Sequence, residues 1–302
     1  MRGEIKLTDE LIAYKTEISG RTRLYAVIGD PVSHSLSPRI MNSAFVQTGV
    51  DAVYIALSVR EADAGQAMQM IRLFGLAGVN VTMPLKQAIV PYLDHLSPAA
   101  AQVGTANCVI NREGILTGHN TDCIGFRLSL SAHFKSSPAR AFLLGAGGAA
   151  RAIASELVRW GCEKLLIANR SRDKAENLAK ILRAEGKCKI SVLPWNPTDW
   201  SRDLSETDLI INATSLGMGG KGSVAELLRW DQICRQAFIF ETVYNPLDTD
   251  LLQQARKHRF RTIGGTELLL WQAVAGFEIW TGLEAPVEIM RESMLRGLKQ
   301  PS

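Results

Sequence analysis

The sequence predicts an α/β protein made of two units whose sheets are mostly parallel. Short apolar segments of strand length alternate with longer amphipathic segments along most of the 302 residues. Alternating strands and helices imply parallel strand pairing through right-handed crossovers. The length suits two domains, so two such alternating runs are expected.

Composition excludes several classes of protein. Hydrophobic residues make up 46% and charged residues 21% of the chain, which is ordinary for a globular protein with a real core. The net charge of +4 is spread out, so no nucleic-acid partner is expected, and a local positive cluster would suit a small anion. Five cysteines without C-x-x-C spacing indicate reduced thiols in a cytoplasmic protein, and no metal site is expected. Neither a signal peptide nor a membrane span is predicted.

The first unit is predicted to span residues 1–120. A helix is expected from Ser37, because Ser37 suits the N-cap, Pro38 suits the first helical position and Gly49 suits the end. The other predicted elements, in chain order, are an amphipathic or frayed extension at 1–20, a strand at 24–29, a strand at 52–58, a helix at 61–74, a strand at 76–83, a helix from Pro84, and a hairpin-like segment at 109–118.

The second unit is predicted to span residues 121–265. Two helices follow it at 266–282 and 286–298, and no strand comes after them. These helices are therefore expected to complete the first unit, which then comprises 1–120 and 266–302. The elements predicted within the second unit are a helix at 122–133, a strand, glycine turn and helix at 141–161, a strand at 164–170, a helix at 171–186, and strands at 208–214, 237–244 and 260–265.

A glycine-rich turn, GAGGAA at 145–150, lies between an apolar strand and a helix. Glycines at such a turn let the backbone approach a pyrophosphate, whose charge faces the positive end of the following helix. The intact strand–turn–helix context favours a dinucleotide site. The alternative is a tight turn that serves packing alone.

The end of the next strand indicates which dinucleotide is bound. An NAD-binding fold usually carries an acidic residue about 20 residues beyond the glycines, where it binds the ribose 2′-hydroxyl. Here Asn169 and Arg170 stand at that place, and Arg172 and Lys174 add positive charge. Arginine attracts a 2′-phosphate. The predicted cofactor is therefore NADP rather than NAD, the alternative being a solvated helix start.

Two serines, Ser35 and Ser37, precede the first helix in the segment SHSLSP. In an extended segment, residues two apart face the same way, and the helix start adds backbone N–H groups. Together they could bind a carboxylate without an arginine. Alternatively, Ser37 only caps the helix and Ser35 only forms the turn.

Lys86 follows a short apolar strand in NVTMPLKQ, with no acidic residue beside it. Asp122, in GHNTDCIGF, lies where the two predicted units join. Ligands commonly bind between domains, so Lys86 and Asp122 are predicted to meet there. A lysine beside a carboxylate and a nicotinamide can exchange the proton when a hydroxyl is oxidised. The alternative is a salt bridge that only ties the units together.

Taken in order, the motifs resemble those of the shikimate dehydrogenase family. The resemblance runs from about residue 24 to 295 and rests on GDPVSHSLSP, NVTMPLK, GTANCV, GHNTD, LLGAGGAARA, NRS, INATSLGM, VYNP and LLLWQA. It implies an N-terminal α/β substrate domain with a mostly parallel sheet and a Rossmann-type NADP-binding domain, separated by a cleft. The implied reaction is the reversible reduction of 3-dehydroshikimate by NADPH, in aromatic amino-acid (chorismate) biosynthesis.

The resemblance also implies roles for individual residues. Lys86 would be the acid/base and Asp122 its partner. Substrate contacts would come from Ser35, Ser37, Thr82, Asn107, Asp122, Tyr244 and Gln272. Cofactor contacts would come from Gly145, Ala146, Gly147, Gly148, Ala149, Asn169, Arg170, Ser171, Lys174, Thr242 and Gly265.

Some residues depart from the family pattern and leave the substrate open. Glu241 and Thr242 precede VYNP, where the family often carries Asp-Met. Ser37 favours shikimate, since quinate-active relatives tend to carry threonine there, whereas His119 occurs in some of those relatives. The alternatives are a quinate/shikimate or aminoshikimate dehydrogenase, and a non-catalytic NADP(H)-binding sensor. A monomer or a homodimer is expected.

Overall fold

The computed structural model describes residues 18–184, 188–219 and 221–299. The chain divides into two compact units. The first comprises Met1–Ser97, Ala106–His119 and Ala273–Ser302, and the second comprises Pro98–Thr105 and Asn120–Gln272. Most of the predicted extension at 1–20 lies outside the described residues, and its last three residues are exposed.

The boundaries differ from the predicted ones in two short segments. Pro98–Thr105 groups with the second unit rather than the first. The second unit also continues to Gln272, beyond the predicted end at 265. The first segment is a short helix that packs in the second unit, and the second is the start of a long helix whose later part belongs to the first unit. The assignment of substrate to the first unit and of NADP to the second stays a prediction.

The first unit contains a six-stranded sheet in the order β2-β1-β3-β5-β6-β4. Strand β1 pairs in parallel with β2 and β3, whereas β5 is antiparallel to both β3 and β6. The predicted hairpin therefore supplies the antiparallel part. The elements are β1 Arg23–Gly29, α1 Ser37–Thr48, β2 Ala52–Ser58, α2 Ala64–Leu73, β3 Gly78–Val81, α3 Leu85–Ala88, β4 His95–Leu96, β5 Cys108–Arg112 and β6 Ile115–His119.

Helix α1 begins one residue earlier than its sequence predicts. Leu36 occupies the N-cap and Ser37 is the first helical residue, so the expectation that Ser37 caps this helix is wrong. The reason is local, because the Ser37 N–H donates a hydrogen bond to Ser35 Oγ at 3.3 Å. The end is as predicted, since Gly49 adopts φ 70° and its N–H bonds back to the last turn.

The second unit contains a six-stranded parallel sheet in the order β12-β11-β10-β7-β8-β9. With the first sheet, this confirms the predicted α/β class with mostly parallel sheets. Its elements are α4 Pro98–Val103, α5 Thr121–Ser131, β7 Arg140–Leu144, α6 Gly148–Trp160, β8 Lys164–Ala168, α7 Arg172–Arg183, β9 Lys189–Leu193, α8 Ser201–Leu204, β10 Leu209–Asn212, β11 Phe238–Glu241, α9 Asp250–Lys257 and β12 Arg261–Ile263.

Two terminal helices, α10 at Gly265–Thr281 and α11 at Val287–Lys299, follow the second sheet. The later part of α10 packs in the first unit, where the Trp280 ring lies 4.9 Å from the Tyr25 ring, centroid to centroid. On α11, Ser293 Oγ donates a hydrogen bond to the Arg39 carbonyl of α1 at 3.0 Å. No helix among the described residues is long and apolar enough to cross a membrane.

Gly78 is a packing constraint in the first unit, and it gives a stability prediction. Trp280 Nε1 donates a hydrogen bond to the Val109 carbonyl at 3.0 Å, and a Cβ on Gly78 would lie 2.5 Å from that nitrogen. We expect Gly78→Ala to lower the free energy of unfolding by about 3 kcal/mol, because overpacking also breaks a buried hydrogen bond. The measurement is the urea midpoint followed by tryptophan fluorescence.

Gly276→Ala is the matched control. A Cβ there would meet its nearest neighbour at 3.6 Å, an ordinary contact, and Gly276 lies inside a helix. That variant is expected to be neutral or to gain about 0.5–1 kcal/mol. Equal urea midpoints for the Gly78→Ala protein and the parent would contradict the packing argument.

Candidate functional site

A chain of hydrogen bonds organises the predicted carboxylate-binding end of the first unit. The Ser37 side chain bonds the Tyr54 hydroxyl, which donates to Asn80 Oδ1 at 2.7 Å. Asn80 Nδ2 in turn donates to the Asn107 carbonyl at 3.2 Å. Burial raises the pKa of Tyr54 well above its usual value, so its hydroxyl stays a donor. Because Ser35 uses its oxygen to accept from Ser37, its own proton remains available to donate to an anion.

Strand ends bring these residues to one edge of the first sheet. Because β5 runs antiparallel to β3, the start of β5 lies beside the end of β3, and Val81 N–H bonds the Asn107 carbonyl at 2.9 Å. Thr82 follows β3, and its N–H bonds the Ile28 carbonyl at 2.9 Å. Gly29 permits this approach, since a Cβ there would lie 2.8 Å from the Met83 carbonyl oxygen. The carboxyl ends of β1 and β3 thus meet the start of β5.

Lys86 stands at this same edge, on the short helix α3. Its carbonyl accepts a hydrogen bond from Ala106 N–H at 2.9 Å, which fixes its backbone, and its side chain is half-buried. Asp94, a nearby acid in sequence, is held by Arg72, whose Nη1 lies 2.7 Å from the carboxylate. The Lys86 backbone is thus bonded to the residue that precedes Asn107, and Leu85 N–H bonds the Thr82 carbonyl at 2.9 Å.

Asp122 occupies the first turn of α5 in the second unit and is only 6% exposed. Asn120 caps this helix by accepting a hydrogen bond from Cys123 N–H at 3.3 Å, and it donates to Thr105 Oγ1 at 3.0 Å. A carboxylate in the first turn is stabilised by the positive end of the helix dipole. The fold therefore places the Asp122 carboxylate at the positive end of α5.

Gln272 lies on α10 where that helix crosses α5. A Cβ on Gly125 would lie 2.7 Å from the Gln272 backbone nitrogen, so only glycine permits this crossing. Asp122 lies one turn before Gly125 on α5, and the half-buried Gln272 donates from Nε2 to the Leu269 carbonyl at 2.9 Å. The structure thus places Asp122 and Gln272 on two helices in direct contact.

The glycine turn after β7 has the geometry that a pyrophosphate requires. Gly145 adopts φ 119°, and a Cβ there would lie 2.5 Å from the Ala213 carbonyl oxygen. Gly147 is the N-cap of α6, and no atom lies within 4 Å of the place where its Cβ would stand. This leaves open space before the helix start, where the first backbone N–H groups of α6, at Gly148 and Ala149, have no partner within the helix. The buried Ala146 completes the turn.

The end of β8 carries basic and polar residues. Asn169 Nδ2 donates to the Ser171 carbonyl at 2.8 Å, and Ser171 is the N-cap of α7. Arg170 and Lys174 are exposed, and Arg172 Nη2 lies 3.6 Å from Glu176. Since the acid of an NAD-binding strand end is replaced by Asn169 and Arg170, this end would attract rather than repel a phosphate.

Glu241 joins two loops at the same edge of the second sheet. Sequence analysis did not assign this buried carboxyl to the site. It is fully buried at the end of β11, opposite Asn212 at the end of β10. Its carboxylate accepts from Asn212 Nδ2 at 2.9 Å, Val243 N–H at 2.9 Å and Thr249 Oγ1 at 3.1 Å. Asn212 also accepts from Thr214 N–H at 3.0 Å. Burial raises the pKa of Glu241 to about 7.

Tyr244 and Thr242 belong to the loop that Glu241 holds. Thr242 N–H donates to the Asn212 carbonyl at 3.1 Å, and burial raises the pKa of the half-buried Tyr244. Gly265 opens α10 against this loop, since a Cβ there would lie 2.5 Å from the Val243 carbonyl. The predicted residues of the second unit thus lie after β7, β8 and β11 or on the helices that adjoin these loops.

Family models of three regions match the chain. A model described as the shikimate dehydrogenase substrate binding domain matches residues 27–109, and one described as shikimate / quinate 5-dehydrogenase matches residues 128–219. A model of the shikimate 5'-dehydrogenase C-terminal domain matches residues 265–295. Among curated proteins, the shikimate dehydrogenase (NADP(+)) of Moorella thermoacetica is 40% identical over 283 residues, which cover 92% of this chain and 96% of that protein.

Solved structures show the same similarity. A shikimate 5-dehydrogenase from Listeria monocytogenes, in complex with shikimate and NAD, superposes with a TM-score of 0.85 at 36% identity, over 91% of this chain and 97% of that chain. The shikimate 5-dehydrogenase from Thermus thermophilus, in complex with NADP(H) and shikimate, superposes with a TM-score of 0.80 at 32% identity, over 91% of this chain and 100% of that chain. A quinate dehydrogenase from Corynebacterium glutamicum, in complex with NAD, superposes with a TM-score of 0.83 at 28% identity, over 91% of this chain and 99% of that chain.

Glu241 gives a prediction for the pH dependence of stability. Its pKa is about 7 in the folded chain and its ordinary value is 4.5, so the folded form holds the proton more tightly. The stabilisation is present at low pH and is lost as pH rises through this window. We expect Glu241→Gln, which stays neutral, to gain about 2–3 kcal/mol relative to the parent between pH 5 and pH 8.

The measurement is urea unfolding of both proteins at several pH values. Glu226→Gln, at an exposed glutamate of the same unit, is the control and should follow the parent at every pH. Parallel stability curves for the Glu241→Gln protein and the parent would mean that Glu241 does not titrate in this range.

Proposed function

This chain belongs to the shikimate dehydrogenase family, and from that membership we propose that it catalyses the reversible NADPH-dependent reduction of 3-dehydroshikimate to shikimate, in aromatic amino-acid (chorismate) biosynthesis. The observation that carries the proposal is the 40% identity, over 92% of the chain, to an enzyme named shikimate dehydrogenase (NADP(+)). The cytoplasmic location and the monomeric or homodimeric state stay predictions.

The second unit is proposed to hold NADP(H). The open turn at Gly145–Ala149 would bind the pyrophosphate through backbone N–H groups. Asn169, Arg170, Ser171 and Lys174 would bind the adenosine 2′-phosphate, for which arginine supplies charge-assisted hydrogen bonds. Thr242 and Gly265, in the loop and helix start that Glu241 helps to fix, would contact the nicotinamide end. When bound, NADPH supplies the hydride.

The first unit is proposed to bind the substrate carboxylate. Ser35 can donate from its hydroxyl, and Ser37 can do so after rotating away from Tyr54. A neutral donor set suits this role, because two hydroxyls and a helix start bind a carboxylate without placing a full cation there. Contacts with the ring hydroxyls or the carboxylate of the substrate are proposed for Thr82, Asn107, Asp122, Tyr244 and Gln272.

Lys86 is proposed as the group that moves the proton. During reduction, its ammonium gives a proton to the carbonyl oxygen as that oxygen gains negative charge, and during oxidation its amine takes the proton from the hydroxyl. Asp122 is proposed to accept a hydrogen bond from the substrate and to act with Lys86 as the acid–base pair. The position of Asp122 in the first turn of α5, where it is buried, supports its role as a hydrogen-bond acceptor for the substrate.

A quinate/shikimate or aminoshikimate dehydrogenase is the second candidate. It is favoured by the structural similarity to a quinate dehydrogenase and by His119, at the end of β6. These activities share the proposed chemistry and differ in the ring that fits. A non-catalytic NADP(H)-binding sensor is the third possibility, and it would bind the cofactor without turning over either acid.

A substrate panel tests the proposal. The purified protein is assayed for NADP reduction with shikimate and with quinate, and each assay is repeated with NAD. We expect the highest kcat/KM with shikimate and NADP. A higher kcat/KM with quinate would favour the second candidate. Binding of NADPH without reduction of NADP by either acid would favour the sensor.

The role of Lys86 is tested by Lys86→Met, which keeps a long, unbranched side chain and removes the ammonium group that would give the proton. We expect kcat to fall about 10²–10⁴-fold, the range of general acid–base catalysis, while the dissociation constant of NADPH stays unchanged. Lys299→Met, at an exposed lysine of the first unit, is the matched control and should keep full activity. Equal losses in kcat and in NADPH affinity would make Lys86 a structural residue.

The 2′-phosphate site is tested by Arg170→Ala. We expect KM for NADP to rise about 10–100-fold, because one charge-assisted interaction is lost, while kinetics with NAD stay unchanged. Arg202→Ala, at another exposed arginine of the second unit, should change neither. A similar increase of KM for both cofactors would place Arg170 outside the 2′-phosphate site.

A further inference from the structure

Two cysteines meet at the edge of the second sheet that lies opposite the glycine turn. Cys162 comes just before β8 and Cys188 just before β9, and these strands pair in parallel with Lys164 opposite Lys189. Cys188 packs against the hydrophobic cluster to which Cys162 belongs, and each thiol shifts the pKa of the other. The glycine turn follows the carboxyl end of β7, so the pair lies at the amino ends of the strands, away from it.

The backbone around the pair fixes both residues. Gly161 ends α6 with φ 102°, and Cys162 N–H bonds the Leu157 carbonyl at 2.9 Å. Lys189 N–H bonds the Glu163 carbonyl at 2.8 Å, which ties the entry of β9 to the entry of β8. The pairing of β8 with β9 thus holds the backbone of both cysteines at the entry of two adjacent strands.

The two thiols differ in exposure and in acidity. Cys162 is 3% exposed and packs in the core, whereas Cys188 is half-buried. The hydrogen bond from Cys162 lowers the pKa of Cys188, which favours its thiolate, the nucleophilic form of cysteine. Cys188 is therefore the thiol that meets an oxidant, and Cys162 is the thiol placed to resolve the product.

We propose that Cys162 and Cys188 form a reversible intrachain disulfide on exposure to a hydroperoxide, so that this edge of the sheet is a redox modification site. The Cys188 thiolate attacks a peroxide oxygen, the O–O bond breaks, and protonation of the departing oxygen releases water from hydrogen peroxide. The sulfur becomes a sulfenic acid. Cys162 sulfur then attacks the Cys188 sulfur, the S–S bond forms, the S–O bond breaks, and the Cys162 proton leaves with a second water.

The disulfide closes the segment between residues 162 and 188, which contains β8 and α7. Closing such a segment restricts the unfolded chain, so the oxidised protein should unfold at a higher temperature, by roughly 5 °C. The proposed cofactor residues lie at the other ends of the strands, so enzymatic activity, where present, should persist. This inference does not depend on the proposed function.

The test treats the purified full chain with hydrogen peroxide, removes the peroxide, counts free thiols and maps disulfides by mass spectrometry of unreduced peptides. We expect two thiols of the five to be lost, one linkage between Cys162 and Cys188, and full recovery with dithiothreitol. Cys188→Ala should abolish the linkage and the gain in unfolding temperature. Cys162→Ala should leave a sulfenic acid on Cys188 that dimedone labels.

Cys234→Ser is the matched control, at the other half-buried cysteine, and should oxidise as the parent does. Circular dichroism shows whether each variant is folded, and Cys188→Ala, at a partly exposed position, keeps the test informative where Cys162→Ala does not fold. Loss of two thiols in the Cys188→Ala protein, a different linkage in the parent, or survival of all five thiols in the parent would overturn the proposal.

Discussion

Both candidate sites depend on one constraint, the close approach of two backbone segments at a glycine. In the first unit, Gly29 ends β1 where the chain after β3 crosses it, and a side chain there would collide with the Met83 carbonyl and with Thr82. The crossing fixes the segment that carries Lys86. The chemistry of that lysine is thus positioned by a residue that has no side chain, because no other residue permits the backbone contact.

The same constraint recurs in the second unit. Gly145 lets the turn after β7 lie against the Ala213 carbonyl, and Gly265 lets α10 begin against Val243. In each case a backbone contact at a glycine helps to hold a loop that is proposed to meet the cofactor. This arrangement leaves the space in front of the helix start open, whereas side-chain packing would have filled it.

The features that could be predicted from sequence are those that depend on nearby residues rather than on contacts between distant segments. The glycine turn, the basic end of β8 and the strand–helix alternation are set by residue type within a short window, and the structure has them. Helix α9 is missing from the sequence prediction although Thr249 caps it and Leu251, Leu252 and Ala255 form its buried face. Its two turns are shorter than the window over which helical periodicity is distinctive. The predicted N-cap at Ser37 is wrong because a hydroxyl two residues away, on Ser35, decides where the helix starts.

The polar networks could not be predicted, because their partners meet only through strand order. Tyr54 and Asn80 are 26 residues apart, and Asn212 and Glu241 are 29 apart. Burying Glu241 disfavours its charge, and the hydrogen bonds from Asn212, Val243 and Thr249 offset only part of that penalty, since its pKa remains raised. A buried carboxyl that destabilises the fold near neutral pH is retained most readily where it does something for a site. Here it fixes the loops after β10 and β11 relative to each other, and an apolar core residue of the same size could not accept those hydrogen bonds.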